Sequence, residues 1–567
     1  MTLQNPKLFD LAFIPEGTSM FSDLIAIIEA AVDLTETRRR DMISGLRRVA
    51  KALGRPPQDV PCSSLWLQPR LAKIAPAALN LSLKSWQNAV SDARAAMAHV
   101  GIVEHRNKTS DLSPEWAALW KIALASKNPT IRPSLSRFIY FLNGLGVSPE
   151  SVRDEHSRAF YAALVHDEIR KSPIKAHRNA IHAWNLAVKL IEGWPQTFLI
   201  LESHRNIIKL DEEALPQSFI RDLDSLMARL GAPDPLAEHG PTRALRPSTT
   251  AQYRRLIIRF ASELVHSGID AGEITCMGFI LNPVMAERGL RQMLSRTENK
   301  TTKQISRMAE LLRSVGKATE QPDAGQEVLV KLAKKLSLPP QKGMTRKNRD
   351  RLRVLQDERQ ARRLLNLPER LMKNGRTGKS DSFTKALAHE DALAIAILLI
   401  CPVRIKNLAG IHLEQHLQRP GDGRVFLVFV EDEVKNEHPL EFELPPDLVC
   451  MIDKHLAGRS PTLCPMGTPW LFPRRDGSES VDPNHLSNRI AKRIKNELGF
   501  EMNAHLFRHF AVMKWLEANP GAYEVARRLL GHSTVSHTIN VYSGLEIKTA
   551  TKAFSELVAI KKKGPHK

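Results

Sequence analysis

The chain has 567 residues, more than one hydrophobic core holds, so several domains are expected. Lys and Arg number 82 against 61 Asp and Glu, and the formal charge of +21 favours a polyanionic partner through release of its counterions. The cysteines, at 62, 276, 401, 450 and 464, have no CxxC spacing, which argues against zinc ribbons and a disulfide scaffold. The start, Met-Thr-Leu-Gln-Asn-Pro-Lys, lacks a basic region leading into an apolar core, and the longest apolar run, Ala392 to Cys401, is too short to cross a bilayer. A soluble, cytoplasmic protein with no membrane partner is expected.

In chain order, residues 1–340 read as helical throughout. Three segments there look like versions of one unit. With Gly54, Gly146 and Gly268 as reference points, apolar residues fall eight positions before each (Leu46, Phe138, Phe260), four before (Ala50, Leu142, Leu264) and six after (Val60, Val152, Ile274). Spacings of four and eight share one helix face, and the glycine then caps that helix. Any amphipathic helix that ends in glycine fits the same spacing, so the pattern is a candidate repeat. The first unit carries Arg38, Arg39, Arg40, Arg47, Arg48 and Lys51, and the third carries Arg254, Arg255 and Arg259. Linker signals at Gly231-Ala-Pro-Asp-Pro and Leu338-Pro-Pro-Gln-Lys-Gly flank a helical domain at 245–340; helical domains at 1–110 and 111–235 are expected before it, and a domain at 346–560 with a basic tail at 561–567 after it. Trp86, Trp116, Trp120 and Trp184 read as core rather than as base-stacking platforms.

Cations cluster just before the last domain, at Lys342, Arg346, Lys347, Arg349, Arg351, Arg353, Arg359, Arg362 and Arg363. Such a run suits a nucleic-acid backbone or, with Asp350, Asp357 and Glu358 nearby, a solvated helix face. Farther on, Arg424-Val-Phe-Leu-Val-Phe-Val and His438-Pro-Leu-Glu-Phe-Glu-Leu read as strands around an acidic turn, Trp470-Leu-Phe-Pro as a third strand, and the remainder as helix.

Within that domain stand Cys401-Pro-Val-Arg404-Ile-Lys-Asn-Leu, Val434-Lys435-Asn436, His505-Leu-Phe-Arg508-His509, Leu-Leu-Gly-His532-Ser-Thr and Val-Tyr542-Ser-Gly. Each alone has an ordinary reading: a helix-end cation for Arg404, a solvated hairpin charge for Lys435, a half-buried aromatic for Tyr542. His505 and His509 have the i, i+4 spacing of a metal pair, but the glutamate of HExxH is missing and no metal is expected. Taken together and in this order, the boxes resemble the catalytic domain of the tyrosine recombinases, the phage integrase family, over residues 346 to 560.

The resemblance implies a mainly α fold: helical N-terminal DNA-binding domains followed by an α-rich catalytic domain with a small antiparallel β-sheet. It makes 245–340 similar to the family's core-binding domain. The chemistry it implies is cutting and rejoining of DNA through a 3′-phosphotyrosyl link on Tyr542, without cofactor. Arg404 and Arg508 would clamp the phosphate with planar guanidinium forks. A tyrosine hydroxyl, with a free pKa of about 10, needs help at neutral pH, and His505 shares a helix face with Arg508. Lys435 would protonate the leaving 5′-oxygen, and His532 would donate to the same phosphate. Three departures or ambiguities stand. Asn407 occupies a position commonly acidic, Lys406 competes with Lys435 as the lysine, and the carboxylates around Lys435 are available to pair with it. Tyr523 is a rival nucleophile in the wrong order. DNA contacts are expected at Lys342, Arg346, Lys347, Arg349, Arg351, Arg353, Arg254 and Arg255.

The partners implied are double-stranded DNA, further copies of the chain assembling as a tetramer in synapsis, and accessory or partner recombinases. The setting implied is a bacterial mobile element acting at the nucleoid. Alternatives are a type IB topoisomerase and a DNA-binding accessory protein whose boxes are vestigial.

Overall fold

A computed structural model describes residues 14, 17–105, 111–126, 128, 130–169, 172–201, 208–232, 243–319, 323–340, 343–377, 382–461, 463–464, 467–543 and 554–559. The architecture is mainly α with one three-stranded antiparallel sheet. The chain divides into two compact units, residues 1–201 with 342–567, and residues 202–341.

The 202–341 unit has one core, built by Phe219, Leu223, Leu226 and Leu230 of the Gln217–Gly231 helix against Ile257, Phe260 and Leu264 of Pro247–His266 and against the helices that follow. A domain boundary at 235 therefore needs correction: the Gln217–Gly231 helix, apolar along one face, buries that face in the third core. Asp222 fixes it there by accepting the Met277 amide at 2.6 Å.

The other unit holds three cores, at about residues 21–103, 116–199 and 344–542. The second is rich in packed aromatics, with Trp184 lying 6.3 Å from Trp116 and 5.3 Å from Trp194. The first and second are joined by Arg94, whose guanidinium donates to the carbonyls of Asp167 and Glu104. The first meets the third where the turn Pro76–Leu79 touches the end of the Pro483–Leu498 helix. The approach is so close that a Cβ at Gly499 would lie 2.4 Å from the Ala78 nitrogen.

The three reference glycines share one geometry. Gly54, Gly146 and Gly268 have φ of +68°, +71° and +93°, a region costly for other residues. The amide after each glycine bonds the carbonyl four positions before it: Arg55 to Ala50, Val147 to Leu142 and Ile269 to Leu264. This closes the helix as a Schellman cap. A 3₁₀ turn follows each time, at Pro57–Asp59, Pro149–Ser151 and Ala271–Glu273, and buries Val60, Val152 and Ile274 completely.

In the third core the apolar helix Ser382–Ile400 runs through the middle and delivers the chain to Arg404. Strands β1 (Leu417–Gln418), β2 (Phe426–Phe429) and β3 (Leu440–Glu443) form the sheet in that order, with Leu417 opposite Leu427 and Val428 opposite Glu441. The expected third strand at Trp470 is corrected. Leu417–Gln418 takes that place, and Trp470 makes only an isolated bridge to His412. No described helix is long and apolar enough to cross a membrane.

Candidate active site

Four chain segments meet around Arg508, and the turn that carries Lys435 is bonded to one of them. Arg508 sits on the Ala504–Ala518 helix, which Asn503 starts by accepting the Leu506 amide on its side chain. Its guanidinium is 2 % exposed and donates to two backbone carbonyls, Pro402 and Leu530, each at 2.6 Å. One side chain thereby ties the Arg404 segment to the turn that carries His532. Burial, and then Arg404 nearby, lower its pKa to about 10, so it remains charged at neutral pH. Arg404 lies at the start of the short helix Ile405–Ala409, just after the buried Cys401 and Val403.

The Val535–Tyr542 helix, capped by Thr534, brings Tyr542 into the same cluster. Tyr542 is 2 % exposed, and burial pushes its hydroxyl well above the ordinary tyrosine value, with Arg508 opposing the shift. Its hydroxyl lies 2.9 Å from Nδ1 of His509, itself 6 % exposed. His509 is held neutral, its pKa lowered to about 3 by burial and then by His505, Arg508 and His532. His505, by contrast, faces outward, with its ring edge-on to His509 at 4.8 Å. Its pKa is lowered by surrounding protein and by Arg508 and Arg404.

His532 is 8 % exposed, and its Nδ1 lies 2.9 Å from the hydroxyl of the fully buried Thr538. That bond orients the ring and leaves Nε2 to face a ligand. Burial, then Arg508, lower its pKa to about 4.

Lys435 stands apart on an exposed turn between β2 and β3. Among the described residues it has no hydrogen-bond or ion-pair partner, so the feared pairing with Glu431, Asp432, Glu433 or Glu437 is not made. Its neighbours hold the turn instead. Asn436 Nδ2 donates to the carbonyl of Gly531 at 2.8 Å, and Glu433 accepts from His416 Nε2 at 2.8 Å. Asn407 donates to the Glu433 carbonyl at 3.3 Å, so this residue braces the lysine turn.

The sequence-level candidates thus divide. Arg404, His505, Arg508, His532 and Tyr542 come together, and Lys435 lies on a turn bonded to their cluster through Asn436. Tyr523 packs at the edge of the core. Sequence reasoning missed His509, Thr538 and Asn436. The only signal for His509 is its i, i+4 spacing from His505, a spacing that also suits a metal pair. Among the described residues, no group of three or more His, Cys, Asp and Glu is placed to hold a metal.

The expected DNA contacts also divide. Arg351 pairs with Glu501, and Arg254 with Glu212 and with Asp224 at 3.1 Å, so both have structural work inside their units. Arg346 and Arg353 are exposed and share Asp350 at 3.8 and 3.4 Å. Lys347, Arg349 and Arg255 are exposed, whereas Lys342 and the 561–567 tail lie outside the described residues.

The model of the phage integrase family matches residues 357–547, a span holding the cluster and the Lys435 turn. No curated protein matches the chain by sequence. Similar solved structures include XerA recombinase, 14 % identical over 58 % of this chain and 98 % of that one, with a TM-score of 0.26. The XerH site-specific recombinase bound to its difH substrate is 12 % identical over 58 % and 94 %, with a TM-score of 0.35. A lambda integrase tetramer bound to a Holliday junction is 13 % identical over 64 % and 86 %, with a TM-score of 0.31.

Proposed function

We propose that the chain, whose residues 357–547 match the model of the phage integrase family, is a site-specific recombinase that exchanges DNA strands through a 3′-phosphotyrosyl intermediate on Tyr542. The observation that carries the reading is the single buried cluster of Arg508, His532 and Tyr542 beside Arg404, drawn from boxes scattered over about 140 residues of sequence.

In this reading Arg404 and Arg508 neutralise the non-bridging oxygens of one phosphodiester. Planar donors already held in place suit phosphoryl transfer, where catalysis is mostly positioning and charge stabilisation. His532, oriented by Thr538, donates to the same phosphate from Nε2. Tyr542 attacks, and Lys435, unpaired and on a solvent-facing turn, delivers a proton to the 5′-oxygen that leaves. Rejoining is the reverse on a new 5′ end and needs no external energy, because the phosphodiester energy is kept in the tyrosyl link.

The partner is duplex DNA. Residues 202–341 and the exposed cations at Arg346, Lys347, Arg349 and Arg353 are the proposed backbone contacts, and exchange between two duplexes calls for several copies of the chain, ultimately four. A bacterial mobile element is the proposed setting.

The test begins with duplexes selected by the full chain from a random-sequence pool. Two selected duplexes of different length, incubated with the protein, are expected to yield recombinant lengths and four-way junction intermediates. Relaxation of supercoiled DNA at single-copy occupancy, without recombinants, would favour topoisomerase action instead.

A further inference from the structure

Tyr542 has to lose its proton when it attacks, and the imidazole assigned to help it from sequence, His505, faces outward. We infer that His509 is the catalytic base, the group that accepts the Tyr542 proton as the phenolic oxygen bonds to phosphorus. The inference rests on the reading of Tyr542 as nucleophile.

The argument is geometric first. His509 Nδ1 is 2.9 Å from the Tyr542 hydroxyl, the rings meet edge to face at 5.4 Å, and both side chains are buried, so bulk water does not compete for the bond. The other imidazoles nearby are otherwise arranged. His532 commits Nδ1 to Thr538 and lies nearly parallel to the phenol, 16° between planes, at 6.4 Å. The bond to Tyr542 asks for the His509 tautomer with its proton on Nε2, leaving the Nδ1 lone pair to accept O–H.

The electrostatics explain why the pair is inert at rest. His505 and Arg508 face His509 from its own helix, His532 from the adjoining turn and Tyr542 from the last helix. Burial, and then His505, Arg508 and His532, disfavour a protonated His509, while burial keeps the proton on the phenol. A phosphodiester anion bound by Arg404 and Arg508 offsets the same cationic field, raising the basicity of His509 at the moment a substrate is present. The tyrosine is therefore armed by the phosphate it will attack.

The step balances. The bond from Tyr542 Oη to phosphorus forms, the bond from phosphorus to the 5′-oxygen breaks, the phenolic proton passes to His509 Nδ1, and Lys435 supplies one proton to the leaving oxygen. In rejoining both protons return.

The test is single-turnover cleavage of a nicked, selected duplex by the full chain. It compares wild type with His509→Ala and His509→Asn, each with tyrosine or the more acidic 3,5-difluorotyrosine at position 542. The Asn amide oxygen can accept the hydrogen bond but cannot serve as a base. Both variants are expected to form adduct about 100-fold or more slowly, with duplex binding unchanged. Difluorotyrosine is expected to recover the Asn variant roughly ten-fold while changing wild type less. An Asn variant within about three-fold of wild type, or a loss that difluorotyrosine leaves untouched, would overturn the inference and leave His509 as a positioning residue. Should the Ala variant fail to fold, the Asn comparison decides. A wild type that binds duplex yet forms no adduct contradicts the nucleophile reading itself, and the inference falls with it.

Discussion

The side chains that would hold the phosphate and the nucleophile are buried and bonded to one another, whereas the lysine that would protonate the leaving oxygen stands exposed, fixed only through its neighbours. Arg508 spans two backbone carbonyls, His509 holds Tyr542 and Thr538 holds His532. Lys435 has a solvent-facing stem on a turn clipped to Gly531 through Asn436. The difference follows from the two tasks. A clamp must be preorganised, because its benefit lies in not reorganising during the reaction. A proton donor must reach an oxygen that moves away, and a lysine on a flexible four-carbon stem can follow it.

This contrast predicts separable mutational behaviour. Arg508→Ala is expected to show the largest effect, a loss of cleavage of more than about 1,000-fold together with a lower melting temperature. Two buried carbonyls lose their donor, at a cost of about 1–3 kcal/mol each. An unchanged melting temperature in a calorimetric scan would break the buried half of the comparison. Lys435→Ala comes next. Cleavage of ordinary duplex should fall about 100- to 10,000-fold with no loss of stability. Cleavage of a substrate with sulfur at the bridging 5′ position, whose leaving group needs no acid, should stay near wild type. A comparable loss on both substrates would remove Lys435 as the acid and return Lys406 to consideration.

Thr538→Val should cost roughly ten-fold in cleavage rate by freeing His532 to turn. Full activity would show that Thr538 does not set that ring. The smallest effect is on stability against pH. His509 and His532 have folded-state pKa values of about 3 and about 4 against 6.5 when unfolded. The unfolded chain therefore binds more protons below pH 6.5, and the stability tied to these neutral imidazoles is present above 6.5 and lost as pH falls toward 4. His509→Asn should flatten the fall in melting temperature over that window, and an identical slope would argue against a neutral buried His509.

What the sequence disclosed, and what it hid, follows the range of the interactions. Helix caps at Gly54, Gly146 and Gly268 are local and legible, as are β2 and β3, where apolar runs flank an acidic turn. The boxes that hold Arg404, Lys435, His505, Arg508, His532 and Tyr542 are legible because their order is a linear property. The partner of His509 lies 33 residues on, and that of Asn436 lies 95 residues on, so no periodicity announces either. The pairing of Arg351 with Glu501 was hidden in the same way, behind a basic run that read as one surface. The two-residue strand Leu417–Gln418 is too short to carry an alternation, and the boundary near 201 was masked by stronger Pro and Gly signals after 231.

The most direct test of the central claim is a denaturing gel of the full chain incubated with a nicked, selected duplex, comparing wild type with Tyr542→Phe. The account predicts a protein–DNA adduct through the 3′ phosphate with wild type and none with Tyr542→Phe, although both bind the duplex. An adduct that persists in Tyr542→Phe, or none with wild type on DNA it demonstrably binds, would contradict it.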